Sequence, residues 1–441
     1  MRFLHAADLH IDSPLRGLGR FDGAPLARLR GATRRALVRL VDLALDEQVA
    51  FVLIAGDLYD RDWQDFHTGL FVREQMVRLQ RAGIRVFIVL GNHDARGVIS
   101  REVPWPDNVK VFSSRSAETL RIDELQVALH GHSFPNREVP EDLVPGYPAA
   151  VPGFFNIGLL HTSLVGAEGH DTYAPTTLAT LKTRGYDYWA LGHLHARQVV
   201  NEDHPRVVFP GNLQGRHARE TGPKGCELVD VQGGQLNARF VPLDVVRWHR
   251  VAVDLSGAVA ADEVSARVVR ALRTAVVAGD DAASADDALH ALRVTLTGET
   301  VLQAFEARQP GALAALVQAA AQDVMGVELW IEKVQLQLRS PLDRQRLAEG
   351  SDALAELVRG VDTLAADGPS LAALCQATLA DVLDKLPAEL SAALVAEEAQ
   401  GAGQDDVPRL ADVASLQALL RDAEATLLAR LGPAEIREAR P

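Results

Sequence analysis

Val86-Phe87-Ile88-Val89-Leu90-Gly91-Asn92-His93-Asp94 runs from five apolar residues straight into a glycine and three polar side chains. An apolar run of that length, rich in β-branched types, reads as a buried strand, and the glycine closes it. The same text recurs upstream. Residues 51–55 end in Gly56-Asp57, and residues 3–7 end in Asp8-Leu9-His10. Between these runs lie two stretches with helical spacing, 25–48 and 66–82. The order is β-α-β-α-β, which predicts a sheet with helices packed on it. Residues 127–130, 157–160 and 188–191 read as further buried strands. From 197 to 253 the text turns β-rich, with runs at 207–209, 227–231, 238–241 and 251–255. A second sheet packed on the first accounts for them.

A chain of 441 residues exceeds one ordinary core, so more than one domain is expected. The predicted divisions are 1–250, 251–340 and 341–441. The middle one reads as α+β, with a helix at 260–277 and strands at 292–296 and 329–338. The last is rich in alanine and leucine at helical spacing. No stretch reaches the roughly 18 apolar residues of a membrane span, and no secretory signal is visible at the start. The two cysteines, Cys226 and Cys375, are far apart and in no metal or redox spacing, which fits a reducing cytoplasm. A formal charge of −14 argues against lone DNA binding, which favours a basic footprint. It leaves phosphodiester chemistry open, because metal ions reverse the field locally.

Five clusters end five of the β-runs: Asp8-Leu9-His10, Gly56-Asp57, Gly91-Asn92-His93-Asp94, His161, and Gly192-His193-Leu194-His195. In an α/β sheet, ligands bind beyond the carboxyl ends of the strands. Any one cluster alone is an ordinary turn; the set of five in order carries the reading. Two divalent ions about 3.5–4 Å apart need a bridging carboxylate and several ligands each. Asp57 is the natural bridge. Asp8, His10 and His195 would complete one ion, and Asn92, His161 and His193 the other. Imidazole mixed with oxygen suits Mn, Fe, Zn or Ni better than Mg or Ca. His93 is not needed as a ligand and is the candidate to face the leaving group, with Asp94 supporting the cluster from behind.

These motifs, in this order, resemble those of calcineurin-like metallophosphoesterases. The resemblance covers about residues 1–250 and implies an α/β/β/α sandwich of two sheets, here with a small α+β capping domain and a helical C-terminal tail. The third motif ends in Asp94, as in the nuclease branch, rather than in the glutamate common in protein phosphatases. His161-Thr162-Ser163 and residues 186–195 (YDYWALGHLH) are similar to SbcD-type DNA repair exonucleases, and 210–217 (PGNLQGRH) to their bacterial YhaO-like branch. What this implies is a Mn²⁺-dependent exo/endonuclease cleaving phosphodiester bonds at DNA ends. Its implied partners are DNA, an SMC-like ATPase of the SbcC type (YhaN-like) and a second copy of the chain. One position departs from the pattern. Asp60 stands where some archaeal and eukaryotic relatives have histidine, and is similar to the second aspartate of the G-D-x-x-D-R pattern of phosphatases. The expectation is that Asp60 hydrogen-bonds His93 and keeps it charged. A phosphatase or nucleotide phosphodiesterase using the same dimetal site is therefore the competing function. A non-catalytic scaffold is the reading of another class, and the complete ligand set argues against it.

Other residues invite plainer readings. His130-Gly131-His132 mimics the last motif but reads as structural, and His5 as a packed core residue. His67, His204, His249 and His290 read as ordinary surface or hydrogen-bonded histidines. Arg216 and His217, with Arg219, are read equally as DNA-backbone contacts and as an exposed polar turn; Arg61 is a further candidate contact. The arginines at 28, 30, 34, 35 and 39 read as a solvated helix face.

Overall fold

The computed structural model describes residues 1–13, 25–60, 65–95, 103–164, 173–277, 288–383, 385 and 412–431. The first sheet contains β1 (Arg2–Ala6), β2 (Phe51–Ala55), β3 (Arg85–Val89), β4 (Val109–Val111), β11 (Gly225–Gln232) and β12 (Gln235–Pro242), in the order β12-β11-β1-β2-β3-β4. The second contains β5 (Glu118–Ile122), β6 (Val127–Gly131), β7 (Phe155–His161), β8 (Tyr188–Gly192), β9 (Gln198–Asn201) and β10 (Arg206–Phe209), in the order β5-β6-β7-β8-β10-β9. Strands β1 to β4 are mutually parallel, as are β6, β7, β8 and β10. Antiparallel strands flank both sets.

The alternation along β1, β2 and β3 explains why the runs are apolar on both faces, His5 excepted. Phe3, Phe51, Leu53, Phe87 and Val89 face Leu129, Ile157, Leu159, Tyr188 and Ala190 of the second sheet. Their neighbours Leu4, Ala6, Val52, Ile54, Val86 and Ile88 face the helices. A strand covered on both sides has no solvent face to make polar. Each of the Val, Leu, Ile and Phe side chains among these contributes about 1.5–3 kcal/mol by burial, so the sandwich core joins the two sheets. His5 sits in this core, bonded to Tyr188 Oη at 3.0 Å and the Leu191 carbonyl at 3.1 Å.

The helical stretch predicted at 25–48 is two helices, α1 (Leu26–Arg30) and α2 (Ala32–Asp46), separated at Gly31. With α3 (Phe66–Arg81), α2 covers the outer face of the first sheet through Ala36, Leu37, Leu40, Val72, Met76 and Leu79. The outer face of the second sheet has a thinner cover: the short α4 (Leu178–Lys182) and the turn around Val144 and Tyr147, packed on Trp189, Leu191 and Phe209. Of the arginines of α1 and α2, Arg30 and Arg35 are exposed, whereas Arg28, Arg34 and Arg39 are half-buried with partners. Arg28 pairs with Glu328, Arg34 with Asp12, and Arg39 donates to the Asp244 carbonyl at 2.8 Å.

Packing groups the chain into two compact units. One holds Met1–Val251 with the described parts of 272–293 and 324–333; the other holds 252–271, 294–323 and the described residues from 334 onward. A three-stranded sheet has the order β13 (Val246–Asp254), β14 (Leu289–Glu299), β15 (Glu328–Arg339). Beyond α5 (Ala261–Val277), helices α6 (Leu302–Arg308) and α7 (Ala312–Gln322) lie between β14 and β15 in sequence. They are followed by α8 (Arg344–Ala348), α9 (Ala353–Ala366), α10 (Gly368–Leu383) and α11 (Val413–Leu431). In the second unit, Arg344 and Arg421 both pair with Asp362 and Glu424, joining α8, α9 and α11. Of the two readings for His249 and His290 the hydrogen-bonded one holds: both are buried, with Nε2 of the first 2.9 Å from Nδ1 of the second. Among the described residues no helix is long and apolar enough to cross a membrane.

Candidate metal centre

All five clusters leave carboxyl ends of parallel strands, and the turns after β1, β2 and β8 are strained. Asp8, His10, Asp57 and His193 have φ of 52°, 43°, 50° and 111°. Such a conformation costs a non-glycine residue about 1–3 kcal/mol and tends to persist at functional sites. Gly91 is required by contact: a Cβ there would run into the Asp57 carboxylate and the His161 ring. The Asp94 carboxylate ties two turns together, accepting from the N–H groups of Leu58 (3.1 Å), Tyr59 (3.0 Å) and Gly91 (3.3 Å). Burial and the charge of Asp57 push it up to about 7.

Asp57 lies at the centre. Its Oδ1 accepts the His93 N–H at 2.9 Å, leaving Oδ2 to face three imidazoles. Their Nε2 atoms lie at 3.5 Å (His161), 3.8 Å (His10) and 4.0 Å (His93). On one side His161 Nε2 is 2.9 Å from Asn92 Oδ1, and the His193 ring packs edge-on to His161 with centroids 5.2 Å apart. On the other side His10 Nε2 is 3.2 Å from His195 Nε2, which is 4.0 Å from Asp8 Oδ1. The predicted ligands Asp8, His10, Asp57, Asn92, His161, His193 and His195 are thus gathered into two groups around one carboxylate.

The hydrogen bonds at the backs of the rings test whether cations fit. His161 Nδ1 lies 3.0 Å from the Ala55 carbonyl, which can only accept, so the proton is on Nδ1. His195 Nδ1 lies 2.8 Å from Glu220, with the same consequence. Burial holds both rings below the usual histidine range, so both are neutral. Their Nε2 lone pairs therefore point at other acceptors: Asn92 Oδ1 and Asp57 Oδ2 for His161, and Asp8 for His195. Asp8 itself is raised well above the carboxylate range, first by burial and then by the charge of Asp57. Burial and like charge thus penalise the carboxylate here, and a cation among these oxygens and imidazole nitrogens relieves that penalty; histidine ligands are commonly oriented by an acceptor at the other ring nitrogen. The residues fit a pair of divalent cations.

His93 borders these two groups, its ring centroid 4.8 Å from that of His10, and His10, Asp60 and His93 also lie close enough together to hold an ion. Its Nδ1 donates to Asp60 Oδ1 at 2.7 Å, the contact expected from sequence. Ser13 Oγ donates to Asp60 Oδ2 at 2.6 Å. An amide in place of that carboxylate removes a charge-assisted bond worth about 1.5–3 kcal/mol. Asp60→Asn is therefore expected to lower kcat on an aryl phosphodiester about 10- to 100-fold with metal content unchanged. An unaltered kcat would leave Asp60 without this role.

Sequence reading missed Glu220. Nearly buried, it accepts from His195, from Arg216 Nη2 (3.0 Å) and N–H (2.7 Å), and from Asn212 Nδ2 (3.0 Å). Although burial opposes it, the hydrogen bond from His195 and the charge of Arg216 hold it far below the usual carboxylate range. Arg216 is not in an exposed turn: its guanidinium lies between Glu220 and Asp60, with Nη1 3.9 Å from Asp60. His217 is the exposed member of that turn, its Nε2 3.8 Å from Glu220. His130 is bonded to Thr119 and Asn156, away from the site. Arg61 lies outside the described residues.

The family described as calcineurin-like phosphoesterase matches residues 1–197. Those residues are a calcineurin-like phosphoesterase domain. The metallophosphoesterase YhaO middle domain matches residues 248–339, the stretch that follows the phosphoesterase domain. The chain is 40% identical over 261 residues to the uncharacterized metallophosphoesterase YhaO of Bacillus subtilis, a match covering 58% of this chain and 64% of that protein. With the DNA double-strand break repair protein Mre11 of Methanopyrus kandleri it shares 25% over 327 residues, covering 65% and 66%. With a component of the nuclease SbcCD of Staphylococcus saprophyticus it shares 20% over 279 residues, covering 57% and 71%. The chain thus spans a little under two thirds of the YhaO and Mre11 relatives. The phosphoesterase domain contains every predicted ligand, and Glu220 and Arg216 lie beyond its matched end.

Proposed function

We propose that this chain hydrolyses phosphodiester bonds with two divalent metal ions, and that its substrate is DNA near strand ends. The carrying observation is the Asp57 oxygen within 4.0 Å of three imidazole nitrogens, one of them on the His93 ring, whose Nδ1 is anchored by Asp60. Bound divalent ions there supply an activated water and positive charge for the phosphoryl oxygens. Asp57 and the ligand histidines fix where that charge sits. Asp60 holds His93 Nδ1, so His93 presents Nε2 to the reacting bond. As the P–O bond breaks, a proton from Nε2 goes to the leaving oxygen, and the transition state loses less charge to solvent. Arg216, fixed beside Asp60, adds a permanent cation on that side.

The Mre11 and SbcCD relatives support DNA as substrate, and manganese as the working metal follows the same likeness. A net charge of −14 supports a second protein that carries much of the DNA grip. We assign that role to an SMC-like ATPase, with a homodimer of this chain as the working form, in DNA repair in the cytoplasm.

The test is a Mn²⁺-supported assay on end-labelled duplex and single-stranded DNA, run beside an aryl phosphodiester, with and without the ATPase. Both substrates should be cleaved. Turnover of the small diester with DNA intact in every arm would replace the nuclease by a phosphatase or nucleotide phosphodiesterase.

A further inference from the structure

We infer that Glu220 is a positioning residue for the metal centre, acting through His195. The inference rests on the metal reading above and adds a group outside the ligand set. One Glu220 oxygen, Oε1, faces both the His195 Nδ1 at 2.8 Å and the Arg216 Nη2 at 3.0 Å. The other, Oε2, takes the Arg216 N–H at 2.7 Å and Asn212 Nδ2 at 3.0 Å. Every oxygen of the carboxylate is thus engaged, and its orientation is fixed by the turn it closes. The consequence for His195 is a single tautomer, with the proton on Nδ1 and the lone pair on Nε2 directed at His10 and Asp8. The backbone end of His195 is also held: Lys224 Nζ donates to its carbonyl at 2.7 Å.

Arg216 extends the same support across the site. Its fork reaches from Glu220 on the ligand side to Asp60, 3.9 Å away on the His93 side. The chain His195–Glu220–Arg216–Asp60–His93 therefore keeps a metal ligand and the leaving-group histidine in one register. A planar guanidinium can bridge two carboxylates in fixed geometry, whereas an ammonium is a point charge on a flexible stem.

Isothermal titration of the full-length chain with Mn²⁺ tests this, with thermal melting as the folding control. Glu220→Gln is expected to weaken Mn²⁺ binding about 10- to 100-fold while Tm stays near that of the unchanged protein. In a His195→Ala background the same substitution should add less than about 2-fold, because contacting residues couple non-additively. If Glu220→Gln does not fold, Arg216→Lys serves: its Mn²⁺ affinity should fall in the original background and hold steady in the His195→Ala one. Equal losses in both backgrounds would make Glu220 a residue that merely builds its loop, and unchanged affinity in the single variant would equally end the inference. An unsubstituted chain that binds no Mn²⁺ removes the metal reading and this inference together, which separates the two failures.

Discussion

Asp57→Ala is expected to bind neither divalent ion at stoichiometric level and to turn over an aryl phosphodiester more than about 10³-fold slower. Asp57 is 2% exposed, and its two oxygens have separate duties. Oδ1 is taken by the His93 N–H, and Oδ2 faces His161 of one ligand group and His10 of the other. Removing the carboxylate removes the one oxygen both ions would share, so the loss is of two ions and not of one. Asp57→Asn separates charge from shape, since it keeps an acceptor for the His93 N–H; it should lose metal almost as completely. Inductively coupled plasma mass spectrometry after equilibration with Mn²⁺, alongside kcat, reads both quantities. One ion retained at full occupancy with activity within tenfold would show that Asp57 does not join the two groups.

His93→Ala should do the opposite to the metals and nearly the same to the rate. Metal content stays near that of the unchanged protein, because the His93 ring turns its Nδ1 to Asp60 and no ligand depends on it for orientation. Turnover falls about 10²- to 10⁴-fold, the usual range for losing a general acid. The loss should also depend on the leaving group. A nitrophenolate departs without needing a proton, so an aryl diester should lose less than DNA, whose leaving alkoxide is far more basic. Loss of the metals in this variant would reassign His93 as a ligand. An equal loss on both substrates would assign it to binding charge rather than donating a proton.

The architecture was legible wherever burial was two-sided. Residues 51–55 and 86–89 are apolar at every position because one face meets the second sheet and the other meets α2 and α3. The strands that left no such mark are β4, β5 and β9, short and largely half-exposed, where a mixed pattern cannot be told from a loop. Gly31 was equally silent: it divides a helical text whose spacing runs on through it. Arg28, Arg34 and Arg39 read as solvated because their partners, Glu328, Asp12 and Asp244, are remote or carry no helical pattern.

The sequence by itself determined the ligand types and the strand ends on which they stand, because a carboxylate or imidazole after an apolar run is a local feature. It also determined the Asp60–His93 contact, through a motif in which each residue's place implies its neighbour. Only the tertiary structure decided the distances that make a metal centre, since Asp57 and His161 come from different sheets and meet because the sandwich core sets how those sheets face each other. Glu220 belongs to this second class. Nothing in its neighbourhood of sequence announces a hydrogen bond to a ring 25 residues away, and a contact fixed by packing between distant segments leaves no periodicity to read.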